Sequence, residues 1–183
     1  MGETVKAKKR RLREGFFTKY CRGKGLDIGF GGDLLTLNCE GWDRKQGDAQ
    51  YLKGVKDSSF DFIYSSHLLE HLKNPGLALQ KWYAALRLGG YLILYVPHRD
   101  LYEKRKTLPS KWNPEHKYFY LLDKDEPPDT IGILNLIKRS LTNFRLVYGK
   151  VCDAGHTKEN TQNPNIHSDG EYSIEVVIQK VAI

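Results

Sequence analysis

The 183-residue chain has three cysteines, one methionine and no long apolar run. Cys21, Cys39 and Cys152 are odd in number and far apart, which fits neither a disulfide framework nor a zinc-ligand spacing. No window approaches the roughly 18 apolar residues of a membrane span. The basic N-terminus is not followed by an apolar core, so a secretory leader is not expected. Internal repeats and low-complexity linkers are absent too. Together these absences make a cytoplasmic protein without a membrane span the expectation.

What is present suits a globular protein: 40% of the residues are hydrophobic and 28% charged. The length allows one domain with a proper core. The net charge of +7 is unevenly placed, because residues 1–20 hold seven Lys or Arg against two Glu. The expectation is a solvated basic arm over 1–20, centred on Lys6-Ala7-Lys8-Lys9-Arg10-Arg11-Leu12-Arg13, ahead of a single domain over 21–183. Such a run can contact nucleic acid. Nothing downstream has the pattern of a nucleic-acid reader, so that partner is not favoured.

Gly25-Leu26-Asp27-Ile28 reads as a short buried strand that runs into Gly29-Phe30-Gly31-Gly32. Glycine permits both a sharp turn and close approach of the backbone to a ligand. Asp27 argues against a phosphate, which seeks positive potential. A dinucleotide fingerprint would need glycine at position 34, where Leu34 stands. Nine residues separate Asp33 from Asp43, so the first crossover helix is expected to span one or two turns at most.

Residues 60–66 alternate as a strand does, and Asn74-Pro75 opens a helix with Leu77, Leu79, Trp82, Tyr83 and Leu86 on its apolar stripe. Gly89-Gly90 is expected to end that helix, and residues 91–96 to form a buried strand. Residues 98–128 read as irregular, a helix as beginning at Asp129-Thr130, and two strands as covering 144–151 and 172–181. The expected fold is α/β, a Rossmann-like three-layer sandwich. Its sheet would be mainly parallel and seven-stranded, with an antiparallel final strand.

Leu26-Asp27-Ile28-Gly29-Phe30-Gly31-Gly32, Asp43, Asp48-Ala49, the stretch from Asp61 to His71 and Leu88-Gly89-Gly90-Tyr91 follow one another within residues 24–100. In this order they resemble the class I S-adenosylmethionine-dependent methyltransferases, in particular the small type 11-like group with a Leu-Glu-His-Leu stretch. The resemblance implies S-adenosylmethionine as cofactor. It implies that Gly29, Gly31 and Asp27 lie at its methionine end and that Asp43 holds the ribose hydroxyls. Asp48 would take the adenine amino group and Ala49 would offer a backbone N–H. Ser65 and His67 would line the floor. Glu70 reads as structural, and His71 as either functional or a partner for helix backbone. The short crossover leaves the glycine loop to be covered by the N-terminal segment or by a second subunit, so a dimer is one way to complete the fold.

The acceptor is less legible. The place after the 60–66 strand reads Ser65-Ser66-His67-Leu68, without the Asn/Asp-Pro-Pro-aromatic signature of exocyclic-amine DNA methyltransferases. Glu126-Pro127-Pro128-Asp129 lies elsewhere and lacks the aromatic. No cysteine nucleophile stands near these loops, and the paired-glutamate loop of protein arginine methyltransferases is missing. A small-molecule acceptor remains, with the hydroxyl of a sugar or glycan precursor as the leading expectation. The alternatives are an RNA- or ribosome-associated methyltransferase anchored by the basic arm and a non-catalytic cofactor-binding module. A hydroxyl needs a general base. His98, His67 and His116 are the candidates, and Asp100, His167 and Asp169 are candidate acceptor contacts. No metal is expected.

Overall fold

The computed structural model describes residues 3–167 and 170–182. In chain order the elements are α1 (Glu3–Arg13), α2 (Phe16–Tyr20), β1 (Gly25–Ile28), β2 (Cys39–Trp42), β3 (Phe60–Ser66), α3 (Pro75–Ala85), β4 (Leu86–Pro97), β5 (Phe119–Leu121), β6 (Thr130–Gly132), α4 (Ile133–Ser140), β7 (Phe144–Cys152), α5 (Lys158–Gln162) and β8 (Ser173–Lys180). A single turn of 3₁₀ helix covers Leu69–His71, and a short π-helical turn covers Arg99–Glu103.

The main sheet runs β2-β1-β3-β4-β8-β7. The first four strands in that order are parallel, and β8 is antiparallel to both β4 and β7. The chain steps from β1 outward to β2 and then returns to β3 on the other side. The switch point of the topology is therefore the crevice beyond the carboxyl ends of β1 and β3, where open α/β sheets bind ligands. The pairing of Ile28 with Ser65 puts the glycine turn and His67 at that crevice.

The alternation of each strand divides the core into two layers. Leu92, Leu94, Val96, Ile174, Val176 and Ile178 face α3 and α4, which supply Leu79, Trp82, Ile133 and Ile137. Phe62, Tyr64, Ile93, Tyr95 and Val177 face the opposite side, which is covered by α1 and α2 through Ala7 and Phe16. The helix α3 begins as its sequence demands, with the Asn74 side chain accepting the Leu77 N–H and Pro75 at the first position.

Several expectations need correction. The sheet has six strands, not seven, because residues 44–59 form turns and bends between β2 and β3; β5 and β6 pair separately as a two-stranded parallel sheet. The crossover from β1 to β2 contains no helix. The Asp27 carboxylate instead accepts the Leu35 N–H at 2.7 Å and pins the connection to β1. Helix α3 ends at Ala85, and Gly89-Gly90 lies within β4 beside its register shift against β3. Helix α4 starts at Ile133, because residues 130–132 are taken up by pairing with β5.

The N-terminal segment is not a solvated arm. Arg11 is fully buried under the sheet, with its guanidinium 4.8–5.0 Å from the ring centres of Tyr95, Phe16 and Tyr64. It donates to Glu175 at 2.7 Å and to the Tyr64 hydroxyl at 3.0 Å. Arg10 adds ion pairs to Glu171 and Glu175. The N-terminal segment thus supplies the cover that the missing crossover helix would have given. Among the described residues no helix is long and apolar enough to cross a membrane.

Candidate functional site

The glycine turn after β1 is built by two different constraints. Gly29 adopts φ +77°, and a Cβ there would meet the Leu68 side chain at 3.0 Å. Gly31 also has a positive φ, +58°, but a Cβ there would meet nothing within 4 Å. The first glycine is needed by packing against the β3 loop; the second leaves open space beside exposed backbone. The Gly31 N–H donates to Asp43 Oδ2 at 3.2 Å, and the Arg44 N–H donates to Oδ1 at 2.8 Å. Asp43 is thereby held at the end of β2, facing the turn.

Gly29, Asp43, Asp48 and Ala49 converge on one pocket of ≈ 380 Å³, which Trp42, Leu68, His71 and Leu72 help to line. That volume is in the small-molecule range of roughly 300–1,000 Å³. Within its own turn the Asp48 carboxylate accepts the Gln50 N–H at 2.8 Å, and the Ala49 carbonyl accepts the Trp82 indole N–H at 2.8 Å. The Trp42 indole donates to the Gly47 carbonyl at 3.2 Å, which fixes the turn between the two aspartates. Trp42, Leu72 and Arg44 were not singled out from sequence. The signal was available for Trp42, the last residue of a short strand that ends in the ligand crevice.

Other expected residues fall elsewhere. Asp27 does not line the pocket. It is buried beneath α1 and α2, where burial pushes its carboxyl up to about 7 against the opposing effects of the Leu35 N–H and Arg11. Ser65 is buried and donates to the Ile28 carbonyl at 3.1 Å, so it ties β3 to β1 rather than forming a floor. His98 accepts the Asp100 N–H on Nδ1, and burial lowers its pKa. Asp100 is exposed, pairs with Arg99 at 2.8 Å and borders a separate cleft with Lys104, Arg105 and Lys106. His98 and Asp100 are thus not brought to the pocket. Asp169 lies outside the described residues.

His67 and His116 do come together next to the pocket. His67 follows β3 with a left-handed φ of +48°, and its Nε2 lies 2.8 Å from Ser173 Oγ. Burial, then the charges of His116, Lys6 and His71, push its pKa well below the usual value, which keeps the ring neutral at pH 7. Its Nδ1 is 3.8 Å from Glu70 Oε1. His116 is buried, with Nδ1 2.5 Å from Glu103 Oε1. A string of ring contacts leads outward from His67 through Tyr172 to His167 and Trp112, with centroid separations of 5.8, 5.5 and 5.1 Å. His167 is exposed at the outer end of this string.

A family model described as a methyltransferase domain, of type 11, matches residues 15–94. Over this stretch the chain is similar to the type 11-like class I S-adenosylmethionine-dependent methyltransferases. The match spans β1 to β4 and therefore the switch point, the glycine turn, Asp43 and His67. Solved structures share the fold. A SAM-dependent methyltransferase from Archaeoglobus fulgidus superposes with a TM-score of 0.58 at 18% identity, covering 97% of this chain and 94% of that one. A methyltransferase from Haloferax volcanii, solved with the Trm112 methyltransferase activator, gives 0.57 at 8% identity over 100% and 99%. A Thermotoga maritima methyltransferase described as a possible histamine N-methyltransferase gives 0.52 at 17% identity over the whole of both chains. No curated protein matches the sequence.

The residues present suit S-adenosylmethionine. An acidic side chain at the end of β2 faces a glycine turn, one of whose glycines opens onto free space. A carboxylate has the acceptor capacity to take two vicinal hydroxyls.

Proposed function

We propose that this methyltransferase methylates a hydroxyl oxygen of a small molecule, a sugar or glycan precursor or a compound of similar hydroxyl chemistry, with His67 as the general base. The observation that carries the reading is the position of His67 at the switch point, level with the glycine turn and facing a string of aromatic rings. In this reading Asp43 holds the ribose, Asp48 and the Ala49 backbone hold the adenine, and Gly29 and Gly31 lie against the methionine part. When bound, the cofactor supplies an electrophilic methyl group on a sulfonium sulfur. The chain contributes position and a proton acceptor. His67 takes the hydroxyl proton as the oxygen is methylated, and Ser173 orients its ring. Trp112 and His167 form the outer wall for the acceptor. The buried Trp112 indole N–H has no partner among the described residues and suits an oxygen on the acceptor. The Thermotoga structure is of a possible histamine N-methyltransferase, with an amine acceptor, so it is in line with a small molecule and not with the hydroxyl.

The RNA reading loses its anchor. Arg10 and Arg11 are turned inward onto Glu171 and Glu175, which leaves Lys8, Lys9 and Arg13 as the exposed cations of α1.

The test is a panel of sugars, phenols, amines and RNA incubated with isotopically labelled S-adenosylmethionine. Label is expected on a small hydroxyl compound. The His67→Gln variant should lose about 10²–10⁴-fold in turnover while cofactor affinity by calorimetry is kept. Label on RNA alone, or unaltered turnover in His67→Gln, would sink the reading.

A further inference from the structure

Behind the pocket, two histidines and a glutamate from separate parts of the chain point at a common centre. Glu70 and His71 come from the 3₁₀ turn after β3, and His116 comes from the loop that precedes β5. His116 Nε2 is 3.8 Å from Glu70 Oε1, and His71 Nε2 is 4.0 Å from the same oxygen. One ligand atom from each residue lies within 4.8 Å of the others. The two imidazoles meet edge to face with centroids 4.7 Å apart. We propose that Glu70, His71 and His116 form a binding site for a divalent transition metal, zinc in the first instance, at the inner edge of the cofactor pocket.

Three observations carry this. The donor set is two imidazoles and one carboxylate, which suits zinc and other first-row metals and leaves a coordination position for water or substrate. The separations need modest contraction: bonds of about 2.0–2.2 Å in a tetrahedron put ligand atoms roughly 3.3 Å apart. The other nitrogen of His116 is already held in the way that a metal-ligating histidine's is. His116 Nδ1 lies 2.5 Å from Glu103 Oε1, and Glu103 in turn accepts from Ser110. Both imidazoles present Nε2 to Glu70, at 4.0 Å from His71 and 3.8 Å from His116. Access is through His71, whose side chain is 24% exposed and lines the pocket, whereas Glu70 is fully buried.

This set was hidden in the sequence because 45 positions separate His71 from His116 and no short ligand spacing joins them. A metal here would lie close to His67, whose Nδ1 is 3.8 Å from Glu70, and could polarise a hydroxyl in that space.

The experiment uses the full chain, stripped with a chelator and then titrated with Zn²⁺ by calorimetry and with Co²⁺ by visible absorption, without cofactor or acceptor. One Zn²⁺ per chain and a d–d spectrum typical of low coordination number are expected. His71→Ala and His116→Ala should each weaken binding at least tenfold, and His156→Ala should leave it unchanged. Glu103→Gln should weaken binding by about 10–100-fold with the stoichiometry kept. His71 is partly exposed, so His71→Ala is the variant to rely on should His116→Ala fail to fold. No saturable binding of one equivalent, or binding untouched in His71→Ala, overturns the proposal.

Discussion

Arg11 Nε donates to Glu175 Oε2 at 2.7 Å, with both side chains wholly excluded from solvent. Burial opposes the charge on Glu175, but Arg11 and Arg10 outweigh it and hold the carboxyl down at about 2. Removing Arg11 takes away the buried one of the two arginines on Glu175 and leaves that carboxylate to Arg10 and Tyr148. Arg11→Ala should therefore cost about 3–5 kcal/mol in urea unfolding. Lys8→Ala on the exposed side of α1 should stay within about 0.5 kcal/mol. Equal effects would mean that the buried pair does not anchor the helix.

Asp27 gives a pH signature. Its folded pKa is raised from 3.8 to about 7, so relative to an uncharged residue its contribution is most favourable at low pH and is lost as pH rises through 7. The charged groups that face it are Arg11 and Asp33, with the Cys21 and Cys39 thiols packed nearby. Asp27→Asn should remove this slope. The stability difference between wild type and variant should move in the variant's favour as pH rises between roughly 4 and 8. A difference that is flat across that range, measured by denaturant unfolding, would contradict the assignment.

The two glycines should respond differently. Gly29→Ala meets both a left-handed backbone and Leu68 at 3.0 Å, so the melting temperature should fall. The backbone alone costs roughly 1–2 kcal/mol. Adding Leu68→Ala should relieve the steric share only. Gly31→Ala has open space around its Cβ and should show the smaller loss of stability, with its main effect on S-adenosylmethionine affinity.

Asp43→Ala should weaken S-adenosylmethionine binding about 10–100-fold, the worth of one or two hydrogen bonds to a charged acceptor. Because Asp43 also receives the Gly31 and Arg44 N–H groups, hydrogen exchange in the turn should rise while global stability changes little. Unchanged affinity by calorimetry would remove Asp43 from the ribose role.

Local signals wrote the parts of the fold that could be read early. The strands at 25–28 and 60–66 and the Asn74 cap each follow from a few adjacent residues, whereas the clustering of Gly29, Asp43, Asp48 and Ala49 is implied by the family resemblance. What failed to show depends on distant partners. Arg10 and Arg11 look like surface cations until β8 brings Glu171 and Glu175 beneath them. Thr130–Gly132 has the look of a helix start until Phe119–Leu121 pairs with it. Asp27 and Ser65 carry a family pattern, yet here their side chains are engaged by Leu35 and Ile28. His98 stands at the end of β4 as a base would, but its neighbour Asp100 holds its ring nitrogen.

The reach of α1 across the sheet also sets an order of events during synthesis. Arg11 leaves the ribosome 164 residues before Glu175. At about 5–20 residues per second, that is a wait on the order of ten to thirty seconds. Throughout it, β3 and β4 are already made, but the first helix lacks its ion-pair partners Glu171 and Glu175. The nascent chain must carry a basic amphipathic segment without those partners until β8 is made, so completion of this layer is a late event. A nascent-chain series arrested before and after residue 175 should show protease protection of α1 only in the longer species.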